Sequence, residues 1–271
     1  MQLSITHTSQ YEYAEPASYG LLRIRLKPKP THGQEVIRWS LDLDGAMVEA
    51  EYEDQHMNAV ALASVDAGAQ AVSVTCRGTI ETSDKAGVIG SHSGFMPLWR
   101  VERQTQLTKP DDAIRSLASS LQSDPANKLD LLHELSAAVL EAVAYETGHT
   151  DAATTAIDAI ANGKGVCQDH AHIFISAARH LGIPARYVSG YLMMNDRIEQ
   201  EATHAWAEAN IEGIGWVGFD ISNGISPDER YIRVATGFDY QDAAPIIGIS
   251  NGTGDSALNV RLTVEQHSAA Q

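Results

Sequence analysis

The chain has 271 residues, 44% of them hydrophobic and 20% charged, with 35 acidic against 19 basic side chains and a net charge of −16. That length holds one large or two ordinary domains, and the composition allows a full core to be buried. The acidic balance argues against nucleic acid or an anionic membrane as partner, because both repel a chain of this sign.

No apolar run approaches the roughly 20 residues of a membrane span. No charged-then-apolar leader opens the chain, since Met1 to Tyr13 already alternates like a strand. Two cysteines make no disulfide framework, so a reducing cytoplasm is the expected setting.

Residues 1–105 read as β-rich. Ile37, Trp39, Leu41 and Leu43 alternate with polar neighbours up to Asp44-Gly45, a hairpin signal. Val72, Val74 and Cys76 alternate with Ser73, Thr75 and Arg77, which makes Cys76 a small buried hydrophobe. Short strands at this spacing predict a two-sheet sandwich.

Helical periodicity begins at Pro110-Asp111-Asp112, with proline and acids in a first turn. Ile114, Leu117, Ala118 and Leu121 form one apolar face, and Leu132, Leu135, Val139 and Val143 a second. A third helix spans Ala153 to Ala161 and ends at Gly163. Strands follow from Ala185, and the alternation of Leu258, Val260, Leu262 and Val264 predicts a tail strand that returns to a sheet. Helices followed by strands over 106–271 predict an α+β core.

Within that core, Gly163-Lys164-Gly165 leads into Val166-Cys167-Gln168-Asp169-His170-Ala171-His172. Cys167, Ala171, Phe174, Ala178 and Leu181 mark one helical face, which Gly182 and Pro184 end. Cys167 therefore falls in a first turn, where the helix dipole favours the reactive thiolate. A nucleophilic thiol needs a base and a group to orient that base. His204, 37 residues downstream, shares a strand face with Trp206, Glu208 and Asn210. If Asn210 pairs with Ile214 in a hairpin, His204 lies directly opposite Asp220, on the same face. A one-residue slip would separate them.

Two other motifs carry less. His170 and His172, two apart on a helix, diverge and cannot share one ion, so no metal or other cofactor is expected. Gly163-Lys164-Gly165 lacks the remainder of a phosphate loop.

Cysteine at a helix start, then histidine and aspartate on successive strands, resembles the transglutaminase-like superfamily, above all the bacterial group regarded as candidate cysteine proteases. The likeness rests on Gly165-Val166-Cys167-Gln168-Asp169, Leu181 to Tyr191, Thr203-His204-Ala205-Trp206 and Gly215-Trp216 through Asp220. The run Tyr11 to Pro30 is similar to the β domain that precedes the core in that group. The resemblance implies an N-terminal β-sandwich over 1–105 and a transglutaminase/papain-like catalytic domain over 106–271, with helices packed on an antiparallel sheet. It implies a Cys167–His204–Asp220 triad acting on a peptide or other amide substrate. One departure is Gly237-Phe238-Asp239-Tyr240, where the family tends to carry arginine at the second position.

Three functions fit this reading. A cysteine hydrolase working through a thioester is preferred, because nothing marks an amine-acceptor site. An acyl transferase joining glutamine side chains to amines is the second, and a non-catalytic binding module the third. The Cys167 backbone N–H would meet the oxyanion, with Tyr145 as a candidate second donor. Trp206 and Trp216 are expected to wall the site.

Overall fold

The computed structural model describes residues 1–251 and 256–266; the end of the expected 106–271 span lies outside the described residues. Six strands come first: β1 (Gln2–Tyr13), β2 (Tyr19–Lys27), β3 (Gln34–Asp44), β4 (Ala46–Glu53), β5 (Ala59–Val65) and β6 (Ala71–Thr82), with the short β7 (Val88–Gly90) after them. Next come α1 (Asp112–Ser119), α2 (Lys128–Ala142), β8 (Ala144–Tyr145), α3 (Ala156–Asn162), β9 (Lys164–Gly165) and α4 (Cys167–His180). Strands β10 (Ala185–Leu192), β11 (Glu199–Gln200), β12 (His204–Ile211), β13 (Gly215–Phe219) and β14 (Tyr231–Gly237) follow. The chain closes with α5 (Tyr240–Ala243), β15 (Ile246–Asn251) and β16 (Ser256–Gln266).

The fold is mixed α and β: a sandwich, then helices packed on an antiparallel sheet. One sandwich sheet is ordered β11-β16-β1-β6-β3 and the other β15-β2-β5-β4. The tail strand does return to a sheet, pairing with β1 from Leu3↔Gln266 to Tyr13↔Ser256. Residues 1–105 therefore do not make the sandwich alone; β15 and β16 complete one sheet each. Conversely, β7 from the N-terminal third joins the core sheet, ordered β14-β10-β12-β13-β7.

Inside the sandwich, Val72, Val74 and Cys76 are wholly buried, and burial pushes the Cys76 thiol up to about 12. The alternation in β3 departs from expectation at one place. A bulge between Val36 and Arg38 puts Ile37 outside, 48% exposed, while Trp39, Leu41 and Leu43 pack on the core. An inserted residue reverses the facing of what precedes it.

Local signals set the helices. Asp111 caps α1 by accepting from the Ile114 N–H, and Thr155 and Asp158 form a capping box at α3. One apolar face was expected of α4, yet every residue from Asp169 to Arg179 is buried. Helices α1, α2 and α3 pack around it, and β12 and β10 lie against it. Phe174, its ring tilted against Phe219 at 5.1 Å, is fully buried; a ring of that size contributes roughly 2–3 kcal/mol by burial. Among the described residues no helix is long and apolar enough to cross a membrane.

The sandwich packs on the other face of the core sheet. Leu3, Ile5, Ile80, Leu262 and Val264 meet Tyr191, Ile232 and Val234 in one apolar cluster. The core sheet is thus covered on both sides.

Candidate active site

Cys167 is the first residue of α4, half-buried, with Val166 at the cap in extended conformation. The turn before it is braced from within the helix. The Asp169 carboxylate accepts from the Val166 N–H at 2.7 Å and from the Thr150 hydroxyl at 2.7 Å. Burial outweighs these bonds and raises the Asp169 pKa above the ordinary carboxylate value. Gly165 makes the bend possible, because a Cβ there would lie 2.7 Å from Asp169 Oδ2 and 2.8 Å from its Cβ. Gly165→Ala is expected to destabilise the fold by about 1–3 kcal/mol through this overpacking. Urea unfolding should show it, together with slower alkylation of Cys167.

The β12–β13 hairpin differs from the predicted register. Ala207 faces Phe219 and Ile211 faces Gly215, two residues out of step with Asn210 opposite Ile214. The cause is a three-residue loop, Glu212 to Ile214, in which Gly213 takes φ +83°, open to glycine at little cost. A slip of two preserves the face of every side chain. His204 therefore reaches Asp220 diagonally across the ladder rather than directly, and Asp220 itself pairs with Ile225.

The three groups converge. His204 Nε2–H donates to Asp220 Oδ2 at 2.6 Å, and Cys167 lies near enough to the ring to act on its charge. With Nε2 taken by the carboxylate, Nδ1 is the nitrogen left for sulfur. Burial alone would push the imidazole down, but the Asp220 bond and the negative charges of Asp220 and Cys167 raise it to about 10. Asp220 is fully buried. Burial raises its carboxyl, yet His204, Asn223 and Tyr231 hold it below the ordinary value.

Asn223 and Tyr231 were not anticipated. The Tyr231 hydroxyl donates to Asp220 Oδ2 at 2.7 Å, as does the Asn223 side-chain amide at 2.7 Å. Asn223 lies in the Asp220–Gly224 turn, where an asparagine bonding back to the turn's start is legible. Tyr231 carries no local signal; tertiary packing brings it to the carboxylate.

Tyr145 sits on β8, paired in parallel with β9 just ahead of Cys167. It is 54% exposed, and burial together with the negative charges of Cys167 and Asp220 raises its phenol. Trp206 is buried beside His204, ring centroids 6.2 Å apart, and edge-on to Tyr231. Trp216 is placed differently from expectation: it stacks on Arg186 at 3.7 Å and lines a separate cavity on the outer sheet face.

His170 and His172 go to different partners, as their spacing requires. The His170 Nε2–H donates to the Val143 carbonyl and its Nδ1 accepts from the Ser222 hydroxyl, while His172 Nε2 accepts from the Tyr240 N–H. Phe238 packs edge-on against His56 at 4.7 Å and under the Arg100 guanidinium.

Comparison with known proteins agrees with this architecture. Residues 115–221 match the family model of the transglutaminase-like superfamily, and residues 3–81 that of the bacterial transglutaminase-like N-terminal region. The chain therefore carries a transglutaminase-like core behind a bacterial transglutaminase-like N-terminal region. An uncharacterized protein of Mycobacterium leprae is 27% identical, the match covering 96% of each chain. One from Mycobacterium tuberculosis is also 27% identical, over 96% of this chain and 91% of its own. A solved structure from Cytophaga hutchinsonii, a candidate cysteine protease by its description, superposes with a TM-score of 0.78 at 21% identity, covering 100% of this chain and 92% of that one.

Proposed function

We propose that the protein is a cysteine-dependent hydrolase of peptide or other amide bonds, working through a thioester on Cys167. The observation that supports this most is the chain Asp220–His204–Cys167, with the imidazole raised to about 10. A histidine raised this far is a strong base for the thiol proton and is held as imidazolium beside the sulfur that gives it up. In the first step the thiol proton passes to His204 Nδ1 and sulfur attacks the substrate carbonyl. The tetrahedral oxyanion is met by the Cys167 backbone N–H, which has no intrahelical acceptor in a first turn. Tyr145, whose phenol is raised in part by the charge of Cys167, is the candidate second donor. The intermediate collapses, the leaving amine takes the proton from His204, and a thioester remains. Water, giving its proton to His204, then releases the acid and returns the thiolate.

Both cysteines are free, and the chemistry needs Cys167 reduced, which is why a cytoplasmic setting forms part of this reading. The test is product analysis on an activated ester or glutamine-containing peptide, with and without a primary amine. Free acid should dominate in both. Amide formation outrunning hydrolysis would make the protein an acyl transferase instead. Iodoacetamide at neutral pH should alkylate Cys167 in the wild type much faster than in His204→Ala. Equal rates in the two would leave a binding module.

A further inference from the structure

A second cavity, of about 340 Å³, lies between the N-terminal domain and the outer face of the core sheet, and none of Cys167, His204 or Asp220 lines it. Arg186, Arg233 and Trp216 come from the core sheet, Lys27 from the end of β2 and Lys29 from the segment that follows it. Behind the arginines sits Glu208, fully buried, which accepts from Arg186 Nε at 2.7 Å, Arg233 Nε at 2.6 Å and Arg233 Nη2 at 3.1 Å. These bonds use three of the six guanidinium nitrogens. Arg186 Nη1 and Nη2 and Arg233 Nη1 have no protein partner among the described residues, nor are they sealed from solvent. Trp216, stacked on Arg186, fixes the plane of that guanidinium.

The charge here runs against that of the whole chain. Lys27, Lys29, Arg186 and Arg233 are offset by Glu53 on the wall and Glu208 beneath, within a protein of net charge −16. Burial and the two guanidiniums push the Lys29 ammonium well below its ordinary value, although it donates to the His56 carbonyl and the Thr236 hydroxyl. An anion would relieve that repulsion. Two unpaired guanidinium ends side by side match the paired oxygens of a carboxylate or phosphate, and Met57 and Met96 supply apolar wall for a ligand body.

We propose that this cavity binds a small organic oxyanion, its charged head clamped between Arg186 and Arg233. The ligand carries a phosphate or a carboxylate pair, and inorganic phosphate and succinate are the probes that tell these apart. Thermal unfolding and calorimetry on the full chain should show stabilisation and saturable binding by at least one probe, beyond chloride at equal ionic strength. The stronger probe names the head group. Arg186→Lys keeps the charge that Glu208 needs but loses the fork, and should weaken binding about tenfold. Lys27→Gln, at an exposed position, should weaken it by a smaller factor and serves if Arg186→Lys fails to fold. Protein alkylated at Cys167 should bind with unchanged affinity. The proposal is overturned if neither probe exceeds chloride, if the folded lysine variants bind as tightly as wild type, or if alkylation abolishes binding, which would place the anion at the start of α4.

Discussion

Cys167→Ala is expected to abolish acyl-enzyme formation and to lower turnover of an activated ester by roughly 10⁴-fold or more, while the chain still folds. The half-buried position limits the packing loss to within about 1 kcal/mol. Mass spectrometry after mixing with ester should show no covalent adduct. The same variant reports on the histidine. The Cys167 charge helps hold His204 up at about 10, so its NMR titration should move down when sulfur is removed. A group whose pKa is raised on folding stabilises the fold fully below its unfolded value, here 6.5, and loses that contribution as pH climbs through its folded value. Wild-type stability should therefore fall between about pH 7 and 10 more steeply than that of Cys167→Ala. A surviving adduct in the variant would remove Cys167 as nucleophile.

Asp220→Asn carries the second large effect, expected at about 10³–10⁴-fold on kcat. The asparagine amide can donate where the carboxylate only accepts. Nε2 then becomes the acceptor, and Nδ1 keeps its hydrogen facing Cys167. The tautomer is wrong for a base. Stability should also drop by about 2–4 kcal/mol, because the buried oxygens lose part of a set of bonds from His204, Asn223 and Tyr231. With the main upward pull on His204 gone, the alkaline limb of kcat/KM should shift from near 10 toward lower pH. A profile that keeps its alkaline limb while losing rate would mean that Asp220 serves folding alone. Measuring both limbs separates the two outcomes.

Much of this site is legible from residues near one another in the chain. The glycine turn, the start of α4 at Cys167, the stop at Gly182 and the alternation through His204 each depend on contacts within a few positions. The hairpin parity was legible too, since period-two alternation fixes which side chains share a face. Its register was not. The conformation of Glu212-Gly213-Ile214 decided it, and a turn can close a hairpin in more than one way without changing the faces.

Sequence by itself determined the three candidate groups, the existence and order of the helices and the alternation that builds each sheet, because these follow from periodicity and chain order. Tertiary structure alone decided that α4 is buried all round, since periodicity reports one face and cannot count the neighbours arriving from other elements. It also decided that β15 and β16 complete the sandwich, that Tyr231 reaches Asp220, and that Arg186 and Arg233 share one glutamate above an open cavity. Each of those contacts joins residues brought together only by packing of the whole chain, and no local rule spans that separation.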